Sequence, residues 1–124
     1  MERVTEYRRL IRQIMEAHAR PAAASFPATG VEKLLIMDEE RGHYLLLKLG
    51  WQGHQRIEWT LLHVRLKDGK IWIERDLTED GIATELLDAG VPQTDLVLAF
   101  HVPELRPHIE FTAARNATAT AFGA

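Results

Sequence analysis

Two residues, Asp68 and Gly69, separate two apolar segments and constrain the fold more than any other part of the chain. An Asp-Gly pair tolerates the two positive-φ positions of a type I′ turn, so the flanking segments are predicted to form an antiparallel hairpin. Centring the hairpin on this turn fixes which residues face each other across it: Leu66 and Ile71, Arg65 and Trp72, Val64 and Ile73, His63 and Glu74. Alternate pairs are apolar, so the hydrophobic pattern and the turn indicate the same register.

The segment from residue 31 to residue 75 has strand character throughout. Apolar runs separated by short turn clusters predict an antiparallel meander of four strands, at residues 34–37, 45–51, 57–66 and 71–74. An odd-numbered loop near Gly53 would join the second and third strands and set opposite each other Leu45 and Leu61, Leu47 and Trp59, Leu49 and Ile57. The apolar residues of the third strand change parity midway. We expect a one-residue bulge near residues 60–62, although helices covering opposite faces at the two ends would need none.

Two helices flank these strands. Apolar residues at three- and four-residue steps predict a helix over residues 2–19, whose other face carries Arg8, Arg9 and Arg12. Thr78 is the expected N-cap of a second helix, with Glu79 and Asp80 in its first turn, where carboxylates favour the helix dipole. Its buried stripe would be Ile82, Ala83, Leu86 and Leu87. Gly90 and Pro92 would end it.

These elements predict an α+β fold with an N-terminal helix, an antiparallel four-stranded meander plus a fifth strand at residues 96–100, and a second helix packed on the sheet. Two prolines and a glycine indicate a loop between residues 20 and 30. We expect residues 1–111 to form a single domain. Residues 112–124 are rich in Ala and Thr without periodicity, so a poorly ordered tail is expected there.

Composition excludes several classes of function. The 15 Lys and Arg against 18 Asp and Glu give a formal net charge of -3, so direct nucleic-acid binding is disfavoured, and the arginine stripe is interpreted as a solvated face. The chain has no cysteine, which excludes disulfides, thiolate zinc sites and a cysteine nucleophile. Neither a phosphate loop nor a metal-ligand spacing is present, so no cofactor is expected. A charged N-terminus and the lack of long apolar runs favour a cytoplasmic protein without membrane segments.

One group of residues could carry chemistry. His63 facing the Glu74 carboxylate would be a general base, and Asp76 nearby could help hold a cation, which suggests a small metal-assisted hydrolase. Against this, Glu74, Asp76, Glu79, Asp80 and Glu85 all have structural explanations as cross-strand partner, turn former or helix residues. A structural role is therefore favoured for these acids and for His63.

A second group has the composition of a protein interface. Arg65 opposite Trp72 would stack a guanidinium over an indole, and Trp51 lies beside a loop. His101, Glu104 and Arg106 lie on a closing loop that is bounded by prolines. These residues are candidates for contact with a partner.

Ordered short motifs across the chain resemble the XisI-like family, the fdxN element excision controlling factor proteins. The motifs are Leu49-Gly50-Trp51, Leu62-His63-Val64, the segments 69–76 and 78–86, Ala89-Gly90-Val91-Pro92 and the segment 98–106. The resemblance implies a regulatory protein that acts with a companion XisH-like protein in control of site-specific DNA excision by a separate recombinase. It supplies no catalytic residues, so we expect a non-enzymatic protein.

The expected partner-binding residues lie in three places, which are the edge with the tryptophans, the acidic segment after the hairpin, and the closing loop. They are Trp51, Trp72, Glu74, Asp76, Glu79, Asp80, His101, Glu104 and Arg106. Whether the chain also forms a homo-oligomer stays open at this point.

Overall fold

The computed structural model describes residues 2–20 and 30–108, which form two helices and one five-stranded sheet. In chain order the elements are α1 (Glu2–Ala19), β1 (Val31–Asp38), β2 (His43–Gln52), β3 (Gln55–Lys67), β4 (Lys70–Asp76), α2 (Ile82–Asp88) and β5 (Leu96–Leu98). The strands lie in the order β1-β2-β3-β4-β5, antiparallel except for the parallel pair β4 and β5. This confirms the predicted α+β class, with a four-stranded meander and a fifth strand.

Two predictions fall outside the described residues: the loop with the prolines and the tail at 112–124. The fifth strand is shorter than predicted, since it ends at Leu98 instead of Phe100. Neither helix within residues 2–20 and 30–108 is long and apolar enough to cross a membrane.

The core lies between the helices and one face of the sheet. α1 has its predicted bounds, and its apolar stripe is buried because side chains at three- and four-residue steps share one helix face. The most deeply buried side chains of the core are Ile11, Met15, Tyr44, Leu46, Leu62, Val64, Ile71, Ile73, Ile82 and Leu86. The opposite face of the sheet carries half-buried and polar side chains, so this face is the place to look for a surface with a function.

The Asp68–Gly69 turn has the predicted geometry, since φ is 55° at Asp68 and 72° at Gly69. Three of the four predicted cross-strand pairs are confirmed, but His63 lies opposite Arg75 and not opposite Glu74. The register shifts because Glu74 is an extra residue in β4, which makes a bulge. The bulge reverses the alternation beyond it, so that Asp76 turns toward the core, where it is 3% exposed.

The hairpin of β2 and β3 differs from its predicted register. Its loop is the two-residue turn of Gly53 and His54, flanked by the pair Gln52 and Gln55, so the prediction of an odd-numbered loop is wrong. An even loop reverses the parity of β2, and the buried residues are therefore Tyr44 and Leu46, not Leu45, Leu47 and Leu49. The bulge expected near residues 60–62 is confirmed, because Leu61 is the extra residue between two paired neighbours.

α2 starts later than predicted. The helix begins at Ile82, after Gly81, so Thr78 is not its N-cap and Glu79 and Asp80 precede its first turn. Its end is confirmed, because Gly90 has a φ of 100° and Gly90 and Val91 donate backbone hydrogen bonds to the carbonyl oxygens of Leu87 and Leu86, each at 3.0 Å. These two bonds form the Schellman arrangement that satisfies the last carbonyls of a helix.

A buried polar contact joins α1 to the segment just before β5. The Tyr7 hydroxyl donates a hydrogen bond to Asp95, whose carboxylate also pairs with the Arg3 guanidinium at 3.3 Å. Burial, together with the adjacent Asp95 carboxylate, raises the pKa of Tyr7 to about 12. The hydroxyl therefore stays protonated and remains a donor at neutral pH.

Candidate functional site

Trp72 is at the centre of the most distinctive surface of the described residues. It lies on the sheet face opposite the helices, and its indole N–H donates to the carbonyl oxygen of Lys67 at 3.1 Å. The Lys67 ammonium is 5.1 Å from the centre of the ring, and the Arg106 guanidinium carbon is 6.0 Å from it. Arg65, which was predicted to stack on this ring, is its cross-strand partner, and the Arg65 guanidinium pairs with Glu74 at 3.3 Å. Trp72 therefore lies close to two cations, one at the end of β3 and one in the segment that follows β5.

Arg106 closes the loop that follows β5. Its Nε donates to the carbonyl oxygen of His101 at 2.9 Å, and its Nη2 donates to that of Ala99 at 3.3 Å. These bonds hold the loop in a compact shape beside Trp72. The structure thus brings together the predicted residues Trp72, His101 and Arg106, and we call the surface formed by Trp72 and residues 101–106 the Trp72 corner.

Two apolar residues in this corner were missed by the sequence reasoning. Val102 is 56% exposed and Leu105 is 53% exposed, and the exposed Glu104 lies between them. Single exposed aliphatic side chains are common, but two on one short loop that also carries the Trp72-contacting Arg106 supply the apolar surface that an interaction site needs. The pattern that could have found them is their position on a short proline-bounded loop, where no strand or helix periodicity can bury them.

His101 is held in an apolar environment within the corner. Its ring lies 4.6 Å from the ring of Phe100, and its Nε2 is buried without a hydrogen-bond partner among the described residues. Burial and the nearby Arg106 charge lower the pKa of His101. Because the charged form is disfavoured, His101 presents a neutral ring at pH 7.

Asp76 is an interior residue. Its Oδ2 accepts a hydrogen bond from the Ile82 backbone N–H at 2.7 Å, and its Oδ1 accepts from the backbone N–H of Thr78 at 2.9 Å and from the Thr78 hydroxyl. The Thr78 hydroxyl oxygen accepts in turn from the Gly81 N–H at 3.2 Å. Asp76 therefore organises the start of α2, and at 3% exposure it has no surface to offer a partner.

The other predicted acids are dispersed. Glu74 is half-buried and paired with Arg65, whereas Glu79 and Asp80 are exposed in the bend before α2. Trp72 lies four residues before the end of β4 at Asp76, a separation of about 13 Å along an extended strand. The acidic bend therefore follows the C-terminal end of β4 and does not adjoin Trp72 itself.

Trp51 lies at the other end of the sheet. It pairs with Arg56 beside the Gly53 turn, is 54% exposed, and has the Arg56 guanidinium carbon 5.4 Å from its ring centre. Along β3, its partner Arg56 is nine residues from Arg65, the partner of Trp72, which is about 30 Å. The two tryptophans therefore do not share an edge, contrary to the prediction.

The residues of the hydrolase alternative do not converge. His63 makes a hydrogen bond to His43 with 3.0 Å between Nε2 and Nδ1, while Glu74 pairs with Arg65 and Asp76 is occupied by α2. The two histidines lie on the sheet face opposite the helices. The bulge at Leu61 does not separate them, because the pairing of β2 with β3 is regular from His63 to Arg65. In residues 2–20 and 30–108, no three His, Cys, Asp or Glu side chains lie close enough together to hold a metal ion. The hydrolase alternative is not supported.

A family model described as XisI protein matches residues 1–113 of the chain. The chain belongs to the XisI family. The resemblance inferred from the short motifs is thereby confirmed. Because the match includes all of the described residues, the Trp72 corner lies within the part of the chain that the XisI family model matches.

Two solved structures are similar to this XisI-family chain. One is a XisI-like protein from Anabaena variabilis ATCC 29413, 36% identical, with a TM-score of 0.77 over 86% of this chain and 94% of that one. The other is the fdxN element excision controlling factor XisI from the same strain, 39% identical, with a TM-score of 0.74 over 88% of this chain and 96% of that one. No curated protein sequence matches the chain.

The arginine stripe of this XisI-family chain is partly neutralised. Arg9 pairs with Glu6 and donates to Gln13 at 3.1 Å, and Arg12 pairs with Glu39 at 3.1 Å. Exposed pairs of this kind contribute little to stability, but they lower the positive potential that DNA phosphates would need. The prediction that the chain does not bind nucleic acid directly stays a prediction.

Two partly buried histidines, His63 and His101, make the stability of the fold depend on pH. Burial, with the nearby His43, lowers the pKa of His63, against the opposing influence of Glu74, and His101 is shifted the same way. As pH falls through the unfolded value of about 6.5, the unfolded chain binds protons that the folded chain resists. The free energy of unfolding should therefore decrease from pH 7 to pH 5. Urea unfolding at both values should show a smaller decrease for His63→Gln than for the control His54→Gln, and equal decreases would contradict this origin.

Proposed function

We propose that this chain is a regulatory accessory protein in the control of site-specific excision of a DNA element. It acts by binding a companion XisH-like protein and does not itself catalyse a reaction. The observation that carries this proposal is the 39% identity, over 88% of the chain, to a protein described as the fdxN element excision controlling factor XisI. The matching fold and the family membership support it.

The geometry of the polar residues supports a role without catalysis. The predicted general base relied on the Glu74 carboxylate to orient His63 and raise its basicity, yet His63 bonds to His43 and Glu74 pairs with Arg65. Asp76 is enclosed under α2. These groups are held by structural contacts, so binding is the activity that the described residues favour.

The surface we assign to the companion protein is the Trp72 corner. Interface hot spots are enriched in Trp and Arg and usually lie among apolar contacts with a polar rim. Here Trp72 and Arg106 are flanked by the exposed Val102 and Leu105, with Glu104 at the rim. The bonds from Arg106 to two carbonyls fix the loop before binding, which reduces the entropy lost on association.

Substitution of Leu105 tests this assignment. Leu105→Ser removes an exposed apolar contact without opening the core, so affinity for the XisH-like companion, measured by calorimetry after co-purification, should fall about tenfold or more. The matched control is Ile36→Ser, an aliphatic side chain of similar exposure on β1, three strands away. It should bind like the unaltered chain.

Two results would overturn the proposal at different levels. A companion that never co-purifies with the unaltered chain would remove the binding function itself. A companion that binds normally to Leu105→Ser but weakly to Ile36→Ser would keep the function and move the surface away from the Trp72 corner.

A further inference from the structure

The first half of β3 has one side of its backbone without a neighbouring strand. β4 pairs with β3 only between Leu62 and Lys67, whereas β2 pairs with β3 from Gln55 onward. Among the described strands, none lies on the outer side of residues 55–60. Unpaired edges of this kind are templates for the addition of another strand.

The alternation of hydrogen bonds shows which backbone groups face outward. Gln52 and Gln55 flank the two-residue turn and therefore form a hydrogen-bonded pair, so the groups of Gln55, Ile57 and Trp59 point toward β2. The groups of Arg56, Glu58 and Thr60 then point outward. The carbonyl oxygen of Thr60 confirms this direction, because it accepts a hydrogen bond from Arg75 Nε at 3.1 Å on that side.

The outward residues carry opposite charges at neighbouring positions, which selects one way for two copies to pair. In an antiparallel ladder, outward-facing residues must lie opposite each other. Pairing Arg56 with Arg56 of a second copy sets like charges together, and pairing Glu58 with Glu58 does the same. A third register lies midway between these two and has its two-fold axis at Ile57. It places Arg56 of each copy opposite Glu58 of the other copy.

We propose that this edge is a self-association site, at which two copies of the chain join β3 to β3 in this register. Each contact occurs twice, as a two-fold interface requires. Arg56 and Glu58 would exchange four backbone hydrogen bonds and two ion pairs across the axis. The occupant is a second copy because the charge pattern of the edge is complementary to itself.

The side chains beside the edge fit this arrangement. Trp59 is 50% exposed and Ile57 is 6% exposed, on the face where the two Ile57 side chains would meet. The diagonal distance across an antiparallel pair is within reach of an indole, so each Trp59 can cover Ile57 of the other copy. On the other face, the exposed Arg56 guanidinium lies against Trp51 and donates to the Gly50 carbonyl oxygen at 3.4 Å, both on β2, so its side chain turns outward when the ion pair with the second copy forms.

Self-association at β3 leaves the proposed companion surface free. The Trp72 corner is about 30 Å away along β3, at the end where β4 covers the strand. The two sites are thus compatible, and a failure of one proposal does not imply a failure of the other.

Charge exchange tests the proposal by sedimentation velocity over about 1 to 300 μM, a range suited to a small interface. The unaltered chain should form a dimer as concentration rises. Arg56→Glu alone and Glu58→Arg alone place like charges opposite each other, so each should weaken dimerisation about tenfold or more. The double variant with both changes restores the opposite pairs and should dimerise again.

Mixing the two single variants is the most specific measurement. One chain then carries two acidic and the other two basic residues at the edge, so the mixture should form a heterodimer although each variant alone is monomeric. Glu40→Arg makes the same charge change in an exposed turn and should leave the dimer intact. An unaltered chain that stays monomeric at every concentration would overturn the proposal, as would a dimer that survives both single substitutions.

Discussion

Asp76→Ala is expected to lower the free energy of unfolding by about 3 kcal/mol, although the residue lies in an acidic segment that resembles a solvated surface. The substitution leaves the Ile82 N–H, the Thr78 N–H and the Thr78 hydroxyl without their acceptor. Buried donors without a partner lose their hydration and gain nothing in return. Urea unfolding followed by circular dichroism measures the change.

The neighbouring acid Glu79 supplies the control. It is exposed before α2, so Glu79→Ala should change the free energy of unfolding by less than about 0.5 kcal/mol. Asp76→Asn should have an intermediate effect, because it keeps one acceptor oxygen of the two. If Asp76→Ala were as stable as Glu79→Ala, the assignment of Asp76 as the organiser of α2 would be wrong.

Gly50→Ala is expected to destabilise the fold by about 3 kcal/mol or more, because a methyl group has no space there. A Cβ at Gly50 would lie 2.1 Å from the carbonyl oxygen of Gly30 and 2.9 Å from the Cα of Val31. Both atoms are backbone, and the same Gly30 oxygen accepts a hydrogen bond from the Trp51 N–H at 3.0 Å. The methyl group would therefore push β1 away from β2 at the start of their pairing.

Gly53 is a matched control on the same hairpin. Its φ is 64°, but a Cβ there meets no atom within 4 Å, so Gly53→Ala should cost only the backbone strain of about 1 kcal/mol. Urea midpoints of the two variants separate close packing from backbone strain. Equal losses of stability would show that the approach of β1 to Gly50 is not the reason this position holds glycine.

The sequence predicts correctly those turns, helix ends and bulges that are determined by residues close together in the chain. Asp68 and Gly69 fix one hairpin through their positive φ angles, and Gly90 ends α2 in the same way. The parity change in β3 indicates its bulge, because apolar residues on both sides of Leu61 must reach one core. The α+β class follows once these elements are in order.

The differences arise where neighbouring residues are polar and carry no parity signal. Gln52 and Gln55 are polar on both sides of the Gly53 turn, so nothing in the sequence distinguishes a two-residue loop from an odd one. The same is true at Glu74 and Arg75, where the second bulge turns Asp76 inward. An Asp is ordinarily exposed, and its burial depends on donors from Thr78 and Ile82 that only the folded chain brings together.

The candidate site was predicted in part for a related reason. Trp72 and Arg106 meet because β5 lies parallel to β4 and the loop after it returns over the ring, a tertiary contact between residues distant in sequence. Trp51 was grouped with Trp72 by residue type, whereas the length of β3 separates them. Composition indicates which types of residue could form an interface, but the sheet topology determines which of these residues lie on the same surface.

The contact of Tyr7 with Asp95 has a consequence for the order of events during synthesis. It joins residues 88 positions apart, and closing so long a loop is slower than pairing the neighbouring strands of the meander. Residues 96–106 leave the ribosome after the meander has emerged, and β5 can dock on β4 only then. The Trp72 corner therefore cannot form before residues 96–106 have been synthesised, so an incomplete nascent chain cannot present it.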